Sequence, residues 1–290
     1  MRRRVILALA LALAAGCAKQ GPQEVRAPAA PATPVPPVAD SVTVGLWRFD
    51  ERAGTGIADS SPFRLTGTAG ADTRVDFGRY RNARVFTATP QSFVHVPYNP
   101  VMESPRGFTV EMWLYLNDIS RYEMSALAMR WSPIANEQSW YLGITGRNIT
   151  SATAPSPGWF REVALVFNTG RLVFAFRPEL AAELQVFQSI GAVPTERWVH
   201  VAASLDGEVV RLFIDGRLDN QVAVANGIQR SPAPLVIGNA LDPRRLTEFG
   251  GDLRQDAASA MLPFYALNGL VDELRLSNVA RTSFESADLR

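Results

Sequence analysis

From Val42 onward, the sequence consists of short runs of β-branched and aromatic residues separated by Gly, Pro, Asn and Asp. Such runs form strands, because a period of two places every second side chain on the same face. No long stretch has the 3.6-residue apolar period of an amphipathic helix. The pattern predicts an all-β domain. We favour one large sandwich over two small domains, since single sandwiches of roughly 250 residues are common.

Two Asp-Gly pairs give the clearest local prediction. Asp206-Gly207 and Asp215-Gly216 each follow an apolar run, and both residues of such a pair tolerate the positive φ of tight hairpin turns. A two-residue turn at the first pair would place Ala203 opposite Val210 and give one continuous apolar face. For the second turn we favour three residues with a bulge, because a two-residue turn would place polar side chains on that apolar face.

The amino end has the layout of a secretory signal. Three arginines follow Met1, and an apolar run over residues 5–15 leads to Gly16 and Cys17. A run of about 11 residues is shorter than the roughly 20 that a spanning helix needs. The segment LAAGC resembles a bacterial lipobox, which predicts that residues 1–16 are removed and that Cys17 is acylated. A stray cysteine in a simple secretion signal is the alternative.

The lipobox has consequences for where the protein resides. Ala18, rather than an aspartate, follows Cys17, which by resemblance to Gram-negative lipoproteins implies the outer membrane. We therefore expect an exported protein that is held to the membrane only by its lipid anchor. Residues 18–41 are rich in Ala and Pro and lack a hydrophobic period, so they predict a semi-rigid tether. The predicted domain then spans residues 42–285.

Cysteine content and charge exclude several classes of protein. Cys17 is the only cysteine, which rules out a disulfide within the chain and a cysteine-based metal site. The 29 basic and 28 acidic residues give a formal net charge of +1. A protein that binds duplex DNA or RNA needs a concentrated basic surface. We therefore expect no nucleic-acid partner.

Seven short motifs follow one another through the predicted strands. They are residues 46–51 together with 58–61, and then 93–97, 108–113, 197–202, 212–216, 236–238 and 268–275. In order and spacing they resemble the laminin-G-like domains of the concanavalin A lectin and glucanase superfamily. The resemblance implies a jelly-roll sandwich of two antiparallel sheets, with adjacent first and last strands and with loops at the rims.

Three connections look longer than that family requires, namely residues 120–139, 145–158 and 242–263. Variable loops on a fixed sandwich usually carry the binding specificity. Sugar binding needs aromatic faces beside polar groups, and the aromatic side chains in or beside these connections are the candidates: Tyr122, Trp131, Trp140, Tyr141, Trp159 and Tyr265. For each of them a simple packing role is the alternative.

Some relatives in the superfamily are glycoside hydrolases, whose two catalytic carboxylates flank the bond to be cut. On one strand such carboxylates would alternate, since a period of two places them on one face. Glu111 is followed by apolar residues, and Asp272 and Glu273 are adjacent and would point to opposite faces. The histidines His95 and His200 are flanked by valines and suit packed imidazoles. We expect a non-catalytic protein, with a hydrolase assembled from loops as the less favoured alternative.

Several relatives bind calcium near the rim where the chain ends meet, and calcium takes six to eight oxygen ligands. Asp50, Asp59 and Asp272 lie on matching motifs, so they are the candidate ligands of a calcium site. Alternatively, Asp59 caps a turn and Asp272 pairs with an arginine such as Arg275.

The leading hypothesis for the function of the protein is a binding module for carbohydrate, and the second is a module that binds a protein of the cell envelope.

Overall fold

The computed structural model describes residues 35–122, 124–131, 137–147, 168–179, 183–240, 246–249, 252–255 and 265–284. Within them the chain forms two antiparallel sheets of eight strands each and one separate hairpin. The strands are β1 (Thr43–Trp47), β2 (Gly56–Ile57), β3 (Gly67–Ala69), β4 (Arg74–Phe77), β5 (Asn82–Thr87), β6 (Val94–Val96), β7 (Phe108–Leu116), β8 (Met124–Trp131), β9 (Gln138–Thr145), β10 (Arg171–Phe176), β11 (Gln185–Ala192), β12 (Trp198–Leu205), β13 (Val209–Ile214), β14 (Arg217–Ala223), β15 (Leu235–Ile237), β16 (Leu246–Phe249), β17 (Asp252–Gln255) and β18 (Asn268–Ser277). A 3₁₀ helix spans Pro100–Met102.

The two sheets form the predicted jelly-roll sandwich. Sheet A has the order β14-β13-β12-β7-β18-β5-β4, and β1 lies beside the second half of β18. Sheet B has the order β11-β10-β9-β8-β15-β6-β3-β2, and β16 pairs with β17. The first and last strands are therefore adjacent, as the resemblance implied. None of the described residues forms a helix with the length and hydropathy needed to cross a bilayer.

Side-chain alternation places the core between the sheets. In β7 the inward side chains are Val110, Met112 and Leu114, which are fully buried. Phe174 of sheet B belongs to the same cluster. The outward side chains of β7 include Glu111 and Trp113, and these are also buried. Sheet A thus has an apolar inner face and a partly polar, covered outer face.

The meander of β12, β13 and β14 forms as predicted, but both registers differ in detail. Leu205 pairs with Val210 and Ala203 pairs with Leu212, so the predicted pairing of Ala203 with Val210 is wrong by two residues. The Asp206 carboxylate accepts hydrogen bonds from the N–H groups of residues 208 and 209, at 3.0 and 2.7 Å. The turn is therefore centred one residue later, and a shift of two residues leaves the apolar face unchanged.

The second turn of the meander has two residues, not the three that we expected. Ile214 pairs with Arg217, and Asp215 and Gly216 adopt positive φ of 51° and 70°. A bulge follows in β14 and restores the pairing of apolar side chains further along the strand. The bulge was correctly anticipated, but its position was not.

Residues 120–139, which the sequence suggested as a long connection, contain strand β8. All eight residues of Met124–Trp131 are buried, on both faces of sheet B. A strand that is buried on both faces lacks the alternation of polar and apolar residues. For this reason the sequence pattern did not distinguish β8 from a loop.

The described end of the Pro-rich segment, residues 35–41, lies against sheet A. Arg48 donates to the carbonyl oxygen of Pro37 at 2.9 Å, and Arg275 donates to that of Val38 at 3.2 Å. The Asp40 carboxylate forms a salt bridge with Arg281 at 2.7 Å. Residues 35–41, which composition alone assigned to the tether, therefore pack against the domain.

Candidate functional site

A cleft opens at one rim of the sandwich, where β5 and β7 end and β18 begins. These strands are neighbours in sheet A, so their ends meet at one edge. The cleft has a volume of about 450 Å³, which suits a small ligand. We call it the rim cleft. It is lined by residues 88–90 and 118–122, together with Ser125, Ala266 and Asn268.

The connection from β7 to β8 forms one wall of the rim cleft and is held at both sides. Asn117 donates from its backbone to the Asn268 carbonyl oxygen at 3.1 Å and from its side chain to the Asn268 amide oxygen at 3.0 Å. Further along the wall, Arg147 forms a salt bridge with Asp118 at 2.6 Å. The wall is thus fixed both to the start of β18 and to the end of β9.

Of the five candidate aromatic residues that the structure describes, Tyr122 is the one that lines the rim cleft. The guanidinium carbon of Arg121 lies 4.9 Å from the centre of the Tyr122 ring, and its Nη2 atom donates to the Tyr122 hydroxyl oxygen at 2.9 Å. A Cβ atom at Gly146 would lie only 1.8 Å from the Tyr122 carbonyl oxygen. The backbone of this wall therefore requires glycine at position 146.

Trp140 packs in the core between the two sheets. Its side chain is 1% exposed, and its ring centre lies 5.0 Å from that of Phe108 on the facing sheet. A ligand cannot reach this indole without opening the sandwich. Trp140 therefore has a packing role, which was the alternative that the sequence left open.

Three further candidates, Trp131, Tyr141 and Tyr265, belong to one cluster on the outer face of sheet B. Each is at most 3% exposed. Burial also raises the pKa of the Tyr141 hydroxyl well above its ordinary value. The structure brings these side chains together, but as a packed apolar layer and not as an open platform. Trp159 lies outside the described residues.

The three candidate calcium ligands do not form a common site. Asp59 accepts four hydrogen bonds, from the backbone of Leu46, Ser61 and Leu65 and from the Ser61 hydroxyl, at 2.6–2.8 Å. Both of its oxygens are thus engaged in fixing the chain after β1. In the described parts of the chain, no group of three His, Cys, Asp or Glu side chains could hold a metal ion. Calcium binding stays a prediction, which this arrangement does not favour.

A buried ionic cluster on the outer face of sheet A was not anticipated. Glu111 of β7 is 1% exposed and contacts Arg275 of β18 at 2.7 Å and the Nε2 atom of His200 of β12 at 3.1 Å. Burial opposes ionisation of Glu111, but hydrogen bonds and charge from these two partners outweigh it and hold its pKa below the ordinary value. The alternation of Glu111 with core residues was the only signal in the sequence. The cluster is closed to solvent, and its geometry suits a structural role.

Asp272 and Glu273 lie at a bulge in β18, where its neighbour changes from β5 to β1. Glu273 has a positive φ of 51° and is paired with Arg48 at 2.9 Å. Asp272 accepts a hydrogen bond from the backbone of Tyr80 at 2.9 Å, and its Oδ1 atom has no partner among the described residues. Burial raises the pKa of Asp272 to about 8 and that of Glu273 to about 7.

Solved structures with a similar fold include binding domains of two toxins. The binding domain of Paraclostridial Mosquitocidal Protein 1 has a TM-score of 0.54 and 12% identity, over 84% of this chain and 50% of that domain. The botulinum neurotoxin serotype G binding domain has a TM-score of 0.53 and 11% identity, over 84% and 50%. This chain therefore spans about half the length of these toxin domains.

Another similar structure is domain 4 of AbnA, a GH43 extracellular arabinanase from Geobacillus stearothermophilus, in complex with arabinotriose. Its TM-score is 0.54 at 16% identity, over 85% of this chain and 97% of that domain. At these identities the similarity to all three structures shows the fold alone. No curated protein sequence matches the chain.

A laminin G family model, described as concanavalin A-like lectin/glucanases superfamily, matches residues 88–285. The match covers more than half of the sequence and includes the strands from β6 to β18. The sandwich of two antiparallel sheets is the fold that the resemblance to this superfamily implied. The chain therefore belongs to the concanavalin A-like lectin/glucanases superfamily.

Proposed function

We propose that this protein is a non-catalytic binding module that recognises carbohydrate through the rim cleft. The observation that carries the proposal is the cleft itself, which combines Tyr122 and Arg121 with the polar side chains of Ser120 and Asn268. Carbohydrate sites need this combination of a ring and nearby hydrogen-bonding groups. The similar arabinanase domain, solved with arabinotriose, supports the choice of ligand class.

The buried acids support a binding role more than a hydrolytic one. A glycoside hydrolase needs two accessible carboxylates on either side of the bond. Glu111 and Asp272 are each at most 1% exposed, and Glu111 is engaged with Arg275 and His200. Among the described residues that line the rim cleft, Asp118 is the single acid, and it is paired with Arg147.

The second part of the proposal concerns location. The lipobox ending at Cys17 supports export and a lipid anchor, and Ala18 supports the outer membrane. Metabolic labelling with an alkyne fatty acid tests the anchor, because the label should enter the parent protein and be absent from a Cys17→Ser variant. Labelling of both proteins, or of neither, would contradict the anchor without bearing on the cleft.

Glycan-array screening of the full lipidated protein in detergent, followed by calorimetry on the hits, tests carbohydrate binding. Tyr122→Ala should weaken binding about tenfold or more, since it removes the ring from the cleft wall. Tyr98→Ala is the matched control, because Arg130 lies over the Tyr98 ring at 5.5 Å outside the cleft. Absence of any glycan hit, or equal loss in both variants, would overturn the proposal. Co-purification of a single envelope protein instead would favour the protein-binding alternative.

A further inference from the structure

The guanidinium of Arg121 lies over a face of the Tyr122 ring, 4.9 Å from its centre. Sugars pack on an open aromatic face, and in the rim cleft the guanidinium of Arg121 already lies over the Tyr122 ring. The same guanidinium donates to the Tyr122 hydroxyl oxygen. A ligand that approaches this ring therefore also meets the positive charge of Arg121, which the ring and its hydroxyl group hold in place.

Among the residues that the structure describes, no acid is paired with Arg121. Arg121 forms no salt bridge with any described residue, although the other charged group of the cleft wall, Asp118, is paired with Arg147 at 2.6 Å. Arg121 is also exposed, so its remaining N–H donors face solvent. Asp118 and Arg147 neutralise each other, and the described residues of the lining thus carry one uncompensated positive charge.

We infer that the ligand of the rim cleft is an anionic carbohydrate, whose carboxylate or sulfate group pairs with Arg121. The planar fork of a guanidinium matches the oxygens of either group, and a charge-assisted hydrogen bond is about twice as strong as a neutral one. The hydroxyl groups of the sugar then face the polar side chains of Ser120 and Asn268 on the lining. This inference rests on the proposed function and specifies its substrate class.

Three tetrasaccharides with one skeleton test the inference: tetragalacturonate, its neutral carboxyl-reduced form galactotetraose, and sulfated galactotetraose. Calorimetry on the full lipidated protein should give binding of one or both charged forms at least tenfold tighter than binding of the neutral form. Binding of the charged forms should weaken as salt rises, because the Arg121 contact is exposed. Comparison of the two charged forms identifies the preferred anion.

Charge variants separate a built site from general attraction of polyanions. Arg121→Gln should weaken binding of the charged ligands about tenfold and leave binding of the neutral form unchanged. Asp118→Asn should tighten binding of the charged ligands, because it removes a negative charge from the cleft wall. Damage to the wall would not produce such a gain. Arg81→Gln is the matched control, since Arg81 is exposed and lies outside the cleft lining. Melting curves of the three variants should match that of the parent.

The failure of this inference differs from failure of the proposed function. If galactotetraose binds as tightly as its charged forms and Arg121→Gln has no effect, the anionic ligand is wrong and carbohydrate binding stands. Equal losses in Arg121→Gln and Arg81→Gln would mean non-specific attraction and would also overturn the inference. Absence of binding by these ligands and by every glycan on the array would overturn both.

Discussion

The Nε2 atom of His200 lies 3.1 Å from the Oε2 atom of Glu111, on neighbouring strands, with both side chains nearly inaccessible to solvent. Arg275 approaches the other oxygen of Glu111 at 2.7 Å. Phe284 covers the imidazole, with ring centres 5.1 Å apart. The cluster joins β7, β12 and β18 on the side of sheet A that faces away from the core.

Glu111→Gln should lower the free energy of unfolding by about 3–5 kcal/mol, because it leaves the Arg275 charge buried without its partner. Chemical denaturation measures this change. Asp118→Asn is the matched control, because the Asp118–Arg147 pair is largely exposed and should contribute less than about 1 kcal/mol. Equal effects of the two substitutions would show that the buried cluster does not stabilise the sheet.

Asp272→Asn should change how stability depends on pH. The folded pKa of Asp272 is about 8, above its ordinary value of 3.8, because burial disfavours the charged form. Well below pH 4, the Asp272 carboxyl is protonated in both the folded and the unfolded state. As the pH rises toward 8 only the unfolded state ionises, so the parent loses stability. The asparagine variant should lose less stability between pH 5 and pH 9.

Melting temperatures across this pH range measure the effect. Because the pKa of Glu273 is also raised, to about 7, the stability of the variant should still fall with pH, but with a smaller slope than that of the parent. A parent whose stability is flat from pH 5 to pH 9 would contradict the prediction. So would a variant with the same slope as the parent.

Gly146→Ala should weaken carbohydrate binding while the sandwich stays folded. The added Cβ atom would lie 1.8 Å from the Tyr122 carbonyl oxygen, so the cleft wall must shift. Displacement of a positioned wall should weaken binding about tenfold, which corresponds to ~1.4 kcal/mol. Gly56→Ala is the control, since nothing lies within 4 Å of the place that its added Cβ atom would take. Unchanged binding in Gly146→Ala would place the ligand elsewhere.

Trp140→Ala and Tyr122→Ala should separate packing from recognition. Trp140 is 1% exposed in the core, so its loss should cost about 3–5 kcal/mol of folding free energy. Tyr122 is half-buried at the rim, and its loss should affect stability by less than about 1 kcal/mol. Denaturation curves and glycan binding of both variants provide the test. A stable Trp140→Ala protein with impaired binding would reverse the two roles.

The sequence predicted the class of fold because the strands of sheet A alternate clearly. In β7 and β12 every second residue is a core residue, and the Asp-Gly turns fix the order of the meander. Strand β8 was missed because burial on both faces removes the alternation. The first turn was misplaced by one residue because the Asp206 side chain caps it, which the Asp-Gly pair alone does not reveal.

The rim cleft was predicted only through Tyr122. Its lining comes from three distant segments, which contribute residues 88–90, residues 118–122 with Ser125, and Ala266 with Asn268, and no local pattern indicates that they meet. Composition also does not distinguish an aromatic side chain at a rim from one between sheets. Trp140 and Tyr122 both flank a long connection, yet strand alternation turns Trp140 inward.

Residues 35–40 lie beside β18, and the hydrogen bonds of Arg48 and Arg275 hold their carbonyl groups there. The cleft lies at the opposite end of β18, beside Asn268, whereas the chain enters β1 beside Ser277. Mechanical tension applied through the amino end would therefore load these side-chain contacts and then the β1–β18 pairing. The cleft lies outside the part of the sheet that carries this load, so its shape would persist while the contacts at the amino end break.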